Sequence, residues 1–213
     1  MVAASNKYSG ASRRTGDPAT MATKTFTLDK AHTDVVFATK HMMVTTVRGL
    51  FAGVDGTLSL DIENPTASSG TFTVDVATIS TGSEQRDGHL RSADFFDVEH
   101  YPTMAFTSTK IEAKGGNDYL VTGDLTIKDV TRPVTFEVEY LGLYAAMNGT
   151  QHVGFHATGK INREEFGLTW NVALESGGWL VGKDIKIEID VAAEEAPAVA
   201  PEDAGTPQAA ATA

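Results

Sequence analysis

Apolar and polar residues alternate one for one through segment after segment of this chain, and a period of two is the side-chain repeat of a β-strand with one buried face. Leu58, Leu60 and Ile62 form one set, and Phe72, Val74 and Val76 the next. Met104 and Phe106 follow, then Tyr119, Val121, Leu125 and Ile127, then Val134, Phe136, Val138 and Tyr140. Val153, Phe155, Ala157 and Ile161 alternate with His152, His156, Thr158 and Lys160, while Ile185, Ile187, Ile189 and Val191 alternate with Lys186, Glu188 and Asp190. An opening segment carries Val35, Phe37, Thr39 and His41 on one parity, so the pattern predicts eight strands. Turn chemistry separates them at Gly53 to Gly56, Asn64-Pro65, Gly115 to Asp118 and Asn148-Gly149.

One segment departs from this period. Thr81-Gly82-Ser83-Glu84 has the form of a capping box, which predicts a helix from Glu84 to about Phe95, and a second helical turn is expected over Val47 to Phe51. One or two short helices cannot supply the crossovers that a parallel sheet requires. The expected fold is therefore all-β, with an even strand number and meander-length connections that favour an eight-stranded antiparallel barrel over a sandwich. A barrel of that size encloses at most one small ligand, and strands of about ten residues tilted by about 40° give an axis of roughly 25 Å. Such a shape suits a long thin molecule.

Composition narrows the chemistry. The 213 residues include 17 Lys and Arg against 28 Asp and Glu, a formal charge of -11, and no Cys. Disulfides, thiolate metal sites, iron–sulfur clusters and cysteine nucleophiles are excluded. The acidic balance disfavours nucleic acid and anionic lipid surfaces, which are bound by clustered Lys and Arg. Residues 1–24 hold Lys7, Arg13, Arg14 and Lys24 against Asp17, show no apolar periodicity, and are expected to form a flexible leader. Residues 193–213 hold nine Ala, three Pro and four acids with no base, and are expected to form a solvated tail. The barrel domain is assigned to residues 25–192. No stretch approaches the roughly 20 apolar residues of a membrane span. No apolar segment of a secretory signal precedes Phe26, so a soluble, cytoplasmic protein is expected.

Several short blocks occur together. Asp29, His32, Phe37 and His41 open them, followed by Gly49 and Phe51. The longest run comprises Thr81-Gly82, Arg86-Asp87, His89-Leu90-Arg91-Ser92, Asp94-Phe95-Phe96-Asp97 and Tyr101-Pro102, with Phe106 and Ser108 beyond. Gly123, Leu125, Ile127 and Val130-Thr131-Arg132-Pro133-Val134 come next, then Ile161-Asn162-Arg163, Phe166-Gly167-Leu168 and Val181-Gly182. In these blocks the chain, from about Phe26 to Ala192, resembles the YceI-like family of lipocalin-like barrels associated with polyisoprenoid binding. Asp129 stands where that family usually has Gly, and Glu165 where Asp is common. The resemblance implies a non-enzymatic carrier or storage barrel for an isoprenoid-type lipid, polyisoprenoid or quinone-like. It carries over no catalytic residue and no cofactor beyond the bound lipid.

Parity places Phe37, Phe51, Phe72, Met104, Phe106, Leu125, Phe136, Val138 and Phe155 near the pocket. His41 shares the parity of Phe37 and is expected at a barrel mouth, against a ligand headgroup. Arg91, or Arg86, is the candidate for a diphosphate head, because guanidinium binds phosphate oxygens in a fork. No metal site is expected, since His152 and His156 lie roughly 13 Å apart along one strand. Two alternatives stand beside this reading. One is an enzyme acting on a small amphiphile through His32, His41 or Arg86, Asp87 and His89; the other is a stress-response interaction module whose core is packed shut. The expected partner is a long-chain lipid, with no nucleic acid and no transmembrane segment, and a homodimer is left open.

Overall fold

A sheet whose strands share one apolar face hides both that face and its own edges by curling until the edges meet. The computed structural model describes residues 23–197, Ser176 excepted, so residues 1–22 of the expected leader and the tail beyond residue 197 lie outside the described residues. Eleven strand segments form one sheet: β1 (Lys24–Leu28), β2 (Asp34–His41), β3 (Thr45–Phe51), β4 (Val54–Leu60), β5 (Ser69–Asp75), β6 (Ile79–Ser80), β7 (Thr103–Gly115), β8 (Asp118–Ile127), β9 (Val130–Ala145), β10 (Gln151–Asn162) and β11 (Val181–Glu195). Eight of them, β1, β4, β5, β7, β8, β9, β10 and β11, form a ring that closes where β11 pairs antiparallel with β1. The other three extend that ring: β2 pairs with β11 and β3, and β6 pairs with β3. The chain thus follows eight antiparallel paths, and three of them are broken, β1 into β2, β3 into β4 and β5 into β6. The expected eight-stranded antiparallel barrel is the fold observed.

The three breaks lie side by side, and side chains take over hydrogen bonds that the ladder gives up there. Thr33 is buried, and its Oγ1 donates to the Ala192 carbonyl at 3.1 Å while accepting from the Ala192 amide at 3.2 Å. The Gly53 amide donates to Thr78 Oγ1 at 3.1 Å, and the Asp75 carboxylate accepts from Ala77 N at 2.9 Å to start the tight turn Val76–Thr78.

Five local expectations are corrected. Val47 to Phe51 is extended as part of β3, where Val47, Gly49 and Phe51 stand opposite Thr39, Phe37 and Val35. The capping box does not form: Ser83 is the N-cap of helix α1 (Glu84–Arg91) and makes no side-chain cap bond. The hydroxyl and amide of Thr81 both donate instead to the buried Asp87 carboxylate, the amide at 2.9 Å, which ties the helix to the end of β6. The helix stops at Arg91 rather than Phe95, and Ile62 falls beyond β4, half exposed. Finally, β11 does not end at residue 192. It runs to Glu195 because Ala193, wholly buried, sits opposite Leu28 on one side and Val153 on the other.

All eight paths run between the same two ends. Helix α1, the turns after it and the β10–β11 connection cover one, called here the helical end; short turns border the other. Within the helical end, Asp97 Oδ1 lies 2.8 Å from His100 Nδ1, and this hydrogen bond, with the carboxylate charge, raises the His100 pKa above its ordinary value.

Replacing Ala193 by Asp puts an unpaired carboxylate into the closing seam and should lower unfolding stability by about 3 kcal/mol or more. Urea denaturation checks this, and a loss under about 1 kcal/mol would show that the seam does not hold the barrel shut. The raised His100 pKa means that its pair with Asp97 stabilises the fold fully below pH ~6.5 and fades as pH rises through the folded value. By NMR, His100 should titrate above ~6.5 and fall back in Asp97→Asn; an ordinary midpoint in the unaltered protein would show that the pair does not form.

Candidate functional site

The inward face of the barrel does not fill its interior. A cavity of about 280 Å³ runs along the axis, from Leu90, Phe95, Phe96 and Leu168 at the helical end to Leu60, Ser69, Ser108 and Ile111 toward the other. Its wall is almost entirely apolar, as the alternation of each strand requires. The nine apolar residues placed by parity, Phe37, Phe51, Phe72, Met104, Phe106, Leu125, Phe136, Val138 and Phe155, all line it.

The space survives because large rings lean against glycines of neighbouring strands. A Cβ at Gly49 would lie 2.4 Å from Phe37 Cζ, one at Gly123 2.3 Å from Phe106 Cζ, and one at Gly159 2.6 Å from Phe136 Cδ1. Phe72 occupies the room over Gly56 of the neighbouring strand in the same way, and it shares the room over Gly70, in its own strand, with Leu58. Each ring covers backbone that lacks a side chain of its own, a known compensation for glycine in strands. The rings also contact one another: Phe106 and Phe136 meet edge to face at 5.5 Å, Phe51 and Phe96 at 5.9 Å, and Phe37 and Phe51 tilt together at 5.4 Å.

The polar candidates stand elsewhere. His41 ends β2 and is not part of the cavity wall. Arg91 is turned away from the interior, with Nε donating to the Ala77 carbonyl at 2.9 Å and Nη2 to Ile79 at 2.8 Å. It fastens the helix to the broken β5–β6 path. Arg86 donates from Nε to Thr81 Oγ1 at 2.7 Å and from Nη2 to the Thr81 carbonyl at 2.8 Å. Asp87 accepts from the same residue, so neither side chain is poised toward the cavity. His89 pairs with Asp94 at 2.9 Å and packs edge-on against Phe95 and Trp170. His32 is exposed and hydrogen-bonded to Asp29 at 2.7 Å, which holds the Asp29 carboxyl below its usual pKa. His156 pairs with Asp190 and His152 with Glu194 on the outer surface. Among the described residues no group of three or more His, Asp or Glu could hold a metal ion, and no helix is long and apolar enough to cross a membrane.

The charged residue of the cavity wall was not among those that the sequence reading placed there. Arg163 is 3% exposed and lines the cavity at the helical end. Its Nε donates to the Gly182 carbonyl at 3.0 Å and its Nη1 to the Leu168 carbonyl, but its Nη2 is buried with no partner. Burial lowers its pKa from the ordinary value, and the unmade hydrogen bond alone costs on the order of 1–3 kcal/mol. Parity was the available signal, since Phe155, Ala157 and Ile161 face inward and Arg163 comes two residues later.

Substituting Gly159 by Ala forces the Phe136 ring to move, because every close neighbour of the new methyl group belongs to that ring. The expected result is a loss of about 1–3 kcal/mol of stability together with weaker uptake of an apolar fluorescent probe. Unchanged probe uptake with unchanged stability would show that the ring does not rest on this glycine.

With the cavity described, comparison with known proteins places the chain. The YceI-like domain profile matches residues 26–193. A UPF0312 protein of Staphylococcus epidermidis is 43% identical over 164 residues, covering 76% of this chain and 93% of the relative. The crystal structure of Burkholderia cenocepacia BcnA superposes with a TM-score of 0.66 at 28% identity, covering 78% of this chain and 98% of that one. A domain from Saccharophagus degradans, described as polyisoprenoid binding and implicated in plant cell wall breakdown, shares the fold at a TM-score of 0.55 and 16% identity, over 81% of this chain and 98% of its own. The closed barrel, the profile match and the 43% identical relative agree: this chain belongs to the YceI-like family.

Proposed function

We propose that the protein binds an isoprenoid-type lipid inside the barrel, as a store or carrier, and performs no reaction on it. The observation that carries this reading is the axial cavity with its apolar wall. A void of about 280 Å³ in a well-packed core forgoes contacts amounting to several kcal/mol, so a barrel that keeps one is shaped for an occupant. Each buried methylene of that occupant contributes about 0.8 kcal/mol before ordering costs. A polyisoprenoid-binding domain with the same fold supports the ligand class as a matter of shape. Against the enzyme alternative, the side chains of Arg86, Asp87 and His89 are taken up by neighbours outside the cavity. Against the filled-core alternative stands the cavity itself.

The volume also limits the occupant. It sits at the lower edge of the ~300–1,000 Å³ typical of small-ligand pockets, so a chain of many isoprene units requires the rings to yield or part of the chain to protrude.

Native mass spectrometry of the purified full chain, followed by organic extraction, tests the proposal. The expected result is one lipid per chain, released as an isoprenoid-type molecule. A clean apo mass together with no uptake of added isoprenoid alcohols, acids or quinones would overturn it.

A further inference from the structure

Two loops meet at the helical end outside the cavity, and both carry apolar side chains into solvent. In the turn between β2 and β3, Met42, Met43 and Val44 are 48%, 64% and 77% exposed. The Val44 amide donates to the His41 carbonyl at 3.1 Å and closes the turn, and Met42 and Met43 at its centre both hold positive φ. Hairpins build such a centre from Asn-Gly or Asp-Gly, because larger side chains enter the left-handed region only against a steric penalty. The turn keeps two large apolar side chains despite that penalty, and neither of them lines the cavity.

The second loop is the β10–β11 connection. Its Leu180 carbonyl accepts from the Met42 amide at 2.8 Å, and Met43 Cγ lies 3.4 Å from the point where a Cβ on Gly178 would stand. Val172 and Trp179, both exposed, lie on its opposing arms, where Ala173 bridges to Trp179. Both loops leave the barrel beside the cavity, since Thr39, just before the first, and Val181, just after the second, line its wall.

We propose that these two loops dock on the surface of a lipid bilayer, with Met42, Met43, Val44 and Trp179 set into the headgroup boundary and the helical end of the cavity brought against the membrane that supplies or receives its lipid. The exchange of cargo rests on the reading of the cavity as a lipid site, whereas the docking stands on the loops themselves. Two observations favour a bilayer over a second copy of the chain. Five side chains, each already part-covered, offer well under the ~800 Å² per partner that a stable protein interface buries. Charge points the same way. The chain carries a net -11, yet residues 39–47 include Lys40 and His41 with no acid, and residues 169–182 include a single acid, Glu175. Just beyond them Glu164 and Asp184 are paired with Lys183 and Lys160. The acidic surface that repels lipid phosphates thus gives way at the loops, where tryptophan and large apolar side chains suit the boundary between headgroups and acyl chains.

The test uses the full chain and phosphatidylcholine vesicles. The unaltered protein should float with the vesicles on a density gradient. Brominated phosphatidylcholine should quench Trp179, read in a Trp170→Phe background that removes the other tryptophan; flotation alone decides if that background does not fold. Met42→Asn with Met43→Gly installs the preferred turn. It should leave stability unchanged or raised, keep uptake of an apolar fluorescent probe from solution within about twofold, and weaken vesicle binding about tenfold. Met147→Asn, on the exposed β9–β10 turn at the opposite end, should leave vesicle binding within about twofold. Absence of flotation, an unquenched Trp179 on floating protein, binding that survives the double substitution, or an equal loss in Met147→Asn would overturn the docking. A dimer that the double substitution splits, with no vesicle binding, would also overturn it and assign the patch to a second copy. Failure of the unaltered protein to take up the probe from solution, with flotation intact, would count instead against the lipid cavity.

Discussion

Closure of the sheet by β11 is the constraint on which the rest of this molecule depends. Its fifteen residues pair along one side with β10 and along the other with two strands in succession, β2 and then β1. A ring of antiparallel strands has no free edge, and it fixes every register at once, because a slip of one residue would turn each inward side chain outward. Ala193 stands between Leu28 and Val153 at this junction, and the three belong to one buried apolar cluster. The inward-facing set, and hence the cavity, follows from that registration.

The interior also shows how a barrel of eight paths avoids packing itself solid. Filling every inward position with a large side chain would close the lumen, whereas leaving it lined by small ones would forfeit apolar contacts. Here phenylalanines and glycines face each other across strand pairs, Phe37 with Gly49 and Phe72 with Gly56 in direct register. The rings keep their contacts with the wall and with each other. Polar groups at the cavity are few, and nearly all are satisfied by the backbone; the Nη2 of Arg163 stands apart in this respect among the described residues.

Much of this was legible in the sequence, and the misses have physical causes. Period-two alternation exposed the long strands and all nine apolar positions of the wall named from it, since burial on one face leaves that signature regardless of neighbours. It failed for β3, where Gly49 blanks the alternation and the preceding turn, Met42-Met43-Val44, contains no Gly, Asn, Asp or Pro. Met42 and Met43 nevertheless adopt positive φ of 52° and 63°, a geometry that sequence preference assigns to other residues. The capping box was misread because a partner six residues away, Asp87, competes for Thr81, and no local rule weighs that competition. His41 was placed by the parity it shares with Phe37, which does not say where along the strand the cavity stops, and Arg91 was placed by chemical suitability alone. Arg163 was overlooked because an arginine after a strand reads as surface until the parity is carried one step further.

The ring-on-glycine pairs have a consequence for how such a barrel changes its guest over evolutionary time. The calibre of the channel is set by where each phenylalanine can recline, and that depends on an absent side chain in the adjoining strand. Residues that never touch an occupant of the cavity therefore act as its gauge. Single methyl groups gained or lost at positions such as 49, 123 and 159 would narrow or widen the passage in small steps while its chemical lining stays the same. Relatives with identical walls can in this way admit different guests, and the difference would be found in their glycines.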